Sequence, residues 1–200
     1  MHEWIIRNRG MNTRFQAVSQ GIIRVTHTLK DEFSEEQSAC VVCREYIPAK
    51  MVESSDAWQF SAGDISVRMD KKSGGMVFLD AAGELLREPE RRPRVLEEVP
   101  VCRNIFDKVN VREGRSVDGA RAWAEPCETV LERMAHQCRQ NFVFDDTEAL
   151  YGLGSHEEGH GNLRGHSRLM YQHNMKAVVP VLVSTKGWGI LFDMGCMMAF

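Results

Sequence analysis

Ala177-Val178-Val179-Pro180-Val181-Leu182-Val183-Ser184, then Thr185-Lys186-Gly187, then Trp188-Gly189-Ile190-Leu191-Phe192-Asp193, is the stretch on which the fold turns. β-Branched residues crowd its first eight positions, a polar turn ending in glycine follows, and an apolar run returns. That order predicts a β-hairpin, because stiff branched side chains favour the pleated backbone and glycine releases the turn.

Upstream, the same grammar repeats. Phe15 to Thr28 gives two short runs split at Gly21, and Ile23, Val25 and His27 alternate with polar neighbours. Ser38 to Ile47 is another candidate strand. Gly63-Asp64 precedes Ile65 to Asp70, with Ile65, Val67 and Met69 on one face. Ser73-Gly74-Gly75 and Asp80-Ala81-Ala82-Gly83 are turns around Met76 to Leu79, and Glu84-Leu85-Leu86 follows. This spacing predicts an antiparallel meander. Phe142-Val143-Phe144 reads as a further strand.

Three segments read otherwise. Residues 1–14 read as an arm. Residues 88–100 (EPERRPRVLEEVP) read as a charged, proline-marked surface connection, with Arg91, Arg92 and Arg94 on a solvated face. Residues 152–176 read as a long loop, with glycine at 152, 154, 159, 161 and 165. Ala120 to Phe142 is locally helical: Pro126 suits a first helical position, and Val130, Leu131, Met134 and Cys138 fall at helical spacing.

Composition narrows the function. The chain has 200 residues, 43% hydrophobic and 26% charged, so disorder, collagen and coiled coil are excluded as overall descriptions. A net charge of −3 argues against a phosphate-neutralising nucleic-acid binder. No apolar run approaches the ~18 residues of a membrane span. The N-terminal Met1 to Arg7 is no export signal, so the six cysteines are expected as thiols in the cytoplasm. The apolar ending Met197-Met198-Ala199-Phe200 is read as a cut from a longer protein, whose unpaired last edge invites homo-oligomers.

Several chemical sites present themselves. His156-Glu157-Glu158-Gly159-His160 spells H-E-x-x-H, the zinc-peptidase pattern. That chemistry needs one helical face to bring both imidazoles to the metal. The surrounding glycines, each costing about 1 kcal/mol in a helix, make it a remote alternative. Polar loop residues describe His156, His160, His166 and His173 better than metal ligands do, so no metal site is expected there. Cys40-Val41-Val42-Cys43 lacks a second pair and reads as structural thiols. Trp4, Trp58, Trp123, Trp188 and Tyr171 could each stack on a sugar ring, core packing being the blander role for all of them.

The chain resembles the N-terminal domain of glycoside hydrolase family 31, the α-glucosidase and α-xylosidase family. Glu148-Ala149-Leu150-Tyr151-Gly152-Leu153-Gly154 is similar to that family's E-x-x-Y-G-L-G. Asn162-Leu163-Arg164-Gly165 continues the likeness, and Val179 to Asp193 resembles its I-P-F-x-x-S-x-x-G-Y-G-x-x-x-D. Gly21 to Val25 and Phe33 to Ser38 look like its opening strands.

The resemblance implies a mainly all-β chain: an antiparallel, galactose-mutarotase-like β-sandwich over 1–200, with room for one short helix. It also implies strands in place of the helix over 120–142. In the family, a catalytic barrel with two aspartates follows the equivalent of Phe200. Retaining hydrolysis needs two carboxyl groups ~5–5.5 Å apart. The chain is therefore expected to be non-catalytic alone, and Asp145, Asp146, Glu157 and Glu158 are not that pair. The family's W-N-R-D stretch, on a loop lining the substrate pocket, corresponds to Tyr171-Gln172-His173-Asn174. The resemblance makes Tyr171 an aromatic wall and His173 and Asn174 polar contacts to an α-linked glucoside or xyloside. Asn174 departs from the aspartate, since an amide donates as well as accepts. The rival reading is a stand-alone carbohydrate-binding or interaction module.

Overall fold

The computed structural model describes residues 1–42 and 45–200. Among the described residues all regular structure is β-strand, and the sheets are antiparallel. The chain divides into two units: residues 1–93 with 141–200, and residues 94–140.

The first unit opens with β1 (Glu3–Asn8), β2 (Met11–Ser19) and β3 (Ile22–Thr28), in that order in one sheet. The expected arm is thus two strands, and Ile6 and Phe15 lie in the core. A second sheet runs in sequence order through β4 (Lys50–Glu53), β5 (Ala57–Ala62), β6 (Ile65–Asp70), β7 (Met76–Leu79) and β8 (Glu84–Arg87). β6, β7 and β8 are the meander expected from the alternating sequence, and β4 and β5 extend it beyond that expectation. Val67 and Met69 of β6 are buried while Arg68 between them is exposed.

The two sheets stack, β2 near β5 and β3 near β6. Ile6, Phe15 and Ala17 from one meet Phe60, Ala62, Val67, Met69 and Met76 from the other. The Phe15 and Phe60 rings stack at 5.8 Å, and Trp4 meets Phe60 edge-on at 5.4 Å. Each fully buried phenylalanine contributes about 1.5–3 kcal/mol by leaving water.

A second cluster gathers Leu86, Leu150, Leu153, Leu163, Met170, Leu182 and Trp188. It is built on β11 (Leu150–Ser155), β13 (Ala177–Ser184) and β14 (Gly189–Leu191), with β13 central. The β13–β14 pairing is the hairpin expected from 177–193. A small sheet pairs β12 (Leu169–Met170) with β15 (Met198–Ala199). β11 and β12 therefore cut into the stretch read as loop from 152 to 176.

Other expectations fail for visible reasons. The described part of 38–47 forms no strand. Its backbone is diverted locally, because the Ser38 hydroxyl accepts the N–H groups of Cys40 and Val41. Around Val143 there is one bridge, to Arg87, rather than a strand. Within 88–100, Glu88 is buried and accepts the Met76 N–H, so that stretch is only partly a surface connection.

The second unit is a long antiparallel ribbon of β9 (Arg94–Ser116) and β10 (Gly119–Gln140). This overturns the helical reading of 120–142 and bears out the strands that the resemblance implied. Leu131, Met134 and Cys138, which would have formed the helix's apolar stripe, are exposed. Pro126 sits between register shifts in the ladder, where its missing N–H is tolerated.

Candidate functional site

The recognised motifs turn out to be architecture. Glu148 is buried just before β11; its carboxyl group accepts the Ser184 hydroxyl and, at 2.6 Å, the Asp145 N–H. Asn162 Oδ1 accepts the N–H groups of Leu150 and Arg164. Arg164 donates to the Asp145 carbonyl at 2.6 Å. Asp193 accepts Arg24 of β3 at 2.9 Å and the Ser38 hydroxyl.

Tyr151-Gly152-Leu153-Gly154 is a kink. The β11–β13 ladder passes from Gly152↔Leu182 to Gly154↔Val178, leaving β13 bulged around Pro180. Gly152 and Gly154 have φ of +112° and +94°. A Cβ there would lie 2.2 Å from the Val181 carbonyl oxygen and 1.9 Å from that of Ala177. The kink drives Leu153, at φ 61°, into the second cluster. Trp188 packs there too, stacked on Phe144 at 6.0 Å.

Past β11 the chain makes exposed turns. Residues 156–160 form a turn, not a helix, so the zinc-peptidase geometry is absent. His156 Nε2 lies 2.9 Å from the Leu153 carbonyl oxygen, and the His160 and His166 rings stack at 3.8 Å. Among the described residues no group of three metal-ligating side chains converges. Cys43 of the C-x-x-C lies outside the described residues. Cys40, Cys102, Cys127, Cys138 and Cys196 are exposed thiols rather than packed ones.

The loop between β12 and β13 carries the candidate sugar contacts. Tyr171 is 55% exposed, and its ring lies 6.1 Å from that of His173. His173 and Asn174 are exposed beside it, and Met175 turns the chain at φ 67°. The structure thus brings Tyr171, His173 and Asn174 onto one exposed loop. Gln172 staples that loop: its amide nitrogen donates to the Lys176 carbonyl, and its oxygen accepts the Val178 N–H at 3.0 Å.

A residue to which the sequence assigned no role holds the loop from outside. Glu158 pairs with Lys176 at 3.3 Å and with Arg168 at 3.9 Å. Its own backbone N–H, then Lys176, hold its carboxyl group below the ordinary value. Nothing in the spacing of 158, 168 and 176 announces this contact.

The family model described as the glycosyl hydrolase 31 N-terminal galactose mutarotase-like domain matches residues 12–200. The chain belongs to that family. Among curated proteins, this glycosyl hydrolase 31 N-terminal domain is 25% identical over 186 residues to an uncharacterized family 31 glucosidase of Pseudescherichia vulneris, covering 90% of this chain and 32% of that protein. It is 22% identical over 199 residues to an alpha-xylosidase of Saccharolobus solfataricus, covering 94% of this chain and 23% of that one. The chain thus spans a third or less of these relatives. In fold, the domain matches the crystal structure of a family 31 alpha-xylosidase from Xanthomonas citri with a TM-score of 0.75 at 24% identity, over 98% of this chain and 19% of that one.

Proposed function

We propose that this domain is the non-catalytic N-terminal β-sandwich of a retaining α-glycoside hydrolase of the α-glucosidase or α-xylosidase type, acting in carbohydrate metabolism. Its partner is a catalytic barrel carried further along the same protein, and its 171–176 loop lines the sugar pocket. The observation that carries this reading is the division of labour within the recognised motifs. Glu148, Asn162, Gly152, Gly154 and Asp193 are consumed by hydrogen bonds and close packing, while Tyr171, His173 and Asn174 are held out on a stapled loop. An exposed aromatic ring beside an imidazole and an amide suits a sugar, whose ring offers an apolar C–H face and a rim of hydroxyls.

The names of the relatives support α-glucoside and α-xyloside substrates. The exposed thiols suit a reducing compartment, in line with the cytoplasm. No cofactor enters this reading, and homo-oligomers are part of it.

The test is hydrolysis of aryl α-glucosides and α-xylosides by the longer protein that contains this chain. Cleavage with retention, and a rise in KM on Tyr171→Ala, is the expected result. Failure to cleave either substrate overturns the assignment.

A further inference from the structure

We infer that Glu158 is a positioning residue for the sugar-facing loop: by bridging Arg168 and Lys176 it fixes where Tyr171, His173 and Asn174 stand. The inference rests on the proposed pocket role of that loop.

The geometry is specific. The Arg168 side chain is 5% exposed and the Lys176 side chain 14% exposed, so both cations are largely withdrawn from water. Withdrawn cations need a counter-charge, and Glu158 stands 3.9 Å from the first and 3.3 Å from the second. Arg168 is itself tied down through its backbone. Its backbone N–H and C=O exchange hydrogen bonds with Phe200, both at 2.8 Å, across the end of the small β12–β15 sheet. Lys176 closes the far end of the loop, its N–H donating to the His173 carbonyl at 3.3 Å. Glu158 therefore ties the far end of the loop to the end of the β12–β15 sheet. Gln172 sets the loop's internal shape, while Glu158 sets its placement. A carboxylate is suited to this because its two oxygens can serve two cations at once.

Two measurements test the inference, using Glu158→Gln with Glu157→Gln as control. The first is amide hydrogen exchange at Lys176 and Val178, read on this chain without any substrate. Glu158→Gln should speed it at least tenfold while exchange in β5 and β6 is unchanged. The second is kinetics in the longer protein. KM should rise about tenfold, the scale of one charge-assisted hydrogen bond, with kcat within about twofold, because placement serves the ground state and the transition state alike. Glu158→Asp, which keeps the charge, should recover part of both effects. Unchanged exchange at Lys176 and Val178 overturns the clasp. Faster exchange with unchanged KM overturns its role in sugar placement. A wild-type protein that cleaves no α-glycoside instead overturns the functional assignment and the sugar-placement role together, and the clasp itself is then decided by exchange alone.

Discussion

The Ser184 hydroxyl donates to the carboxyl group of Glu148, two buried residues 36 positions apart. The bond joins the entrance of β11 to the end of β13, and so closes the sheet that carries the second core cluster. Removing the Ser184 hydroxyl leaves one buried carboxylate oxygen of Glu148 unmatched, which costs about 1–3 kcal/mol, and an amide at 148 can no longer accept both the Ser184 hydroxyl and the Asp145 N–H through two oxygens. Ser184→Ala and Glu148→Gln should each lower the urea midpoint. The double variant should lose less than the sum, since residues in contact are not additive. Strict additivity would show that the two groups act independently.

Gly154→Ala tests the kink. Its φ of +94° excludes an ordinary L-residue, and the added Cβ would meet the Ala177 carbonyl oxygen at 1.9 Å. Backbone strain of this kind costs about 1–3 kcal/mol before the clash is counted. Gly161→Ala is the control, because nothing lies within 4 Å of its would-be Cβ. Thermal melts should show a clear loss for the first and little change for the second.

Asp145 and Glu158 are among the carboxyl groups that should titrate below their ordinary range. Thr147 hydroxyl and backbone donors, then Lys186, hold Asp145 at about 2 against 3.8. Glu158 is lowered from 4.5. Because both folded values are depressed, the stabilisation is complete above the ordinary values and is lost as pH falls through the folded ones. Carbon-detected NMR titration should give these midpoints. Thr147→Val should raise that of Asp145, and Lys176→Gln that of Glu158. A Glu158 midpoint unmoved by Lys176→Gln would show that the pair carries no weight.

Excising the ribbon tests whether the first unit is self-sufficient. The Asn141 N–H donates to the Pro93 carbonyl at 3.0 Å and its side chain to the Arg92 carbonyl at 2.8 Å, so the ends of the excursion already meet. Replacing 95–139 with an Asn-Gly turn should keep a cooperative thermal transition and the near-ultraviolet dichroism of Trp188. Loss of both would show that the ribbon is needed for folding.

How much the sequence discloses depends on where each element finds its partners. The meander from β6 to β8 is legible because each strand pairs with its neighbour in sequence, and the period-two pattern of 65–69 and the turns at 73–75 and 80–83 are local. β10 is not legible. It too pairs with its neighbour in sequence, but it is exposed along nearly its whole length, so no period-two burial pattern marks it, and Leu131 and Met134 mimic a helical stripe that is in fact exposed. The loop from Tyr171 to Asn174 is recognisable only through family resemblance. The bridging role of Glu158 escapes notice because two turns and a two-residue strand intervene before Lys176. The H-E-x-x-H spelling misleads in the opposite way, since letters at helical spacing mean nothing on a turn.

Phe78 packs against both core clusters. One ring is thus common property of the stacked opening sheets and the half built around Trp188. Neither half can melt without exposing a face of it. Calorimetry of the first unit should accordingly record one endotherm rather than two, and trimming this ring to alanine should weaken the coupling while Leu86 and the Arg87–Val143 bridge still join the halves.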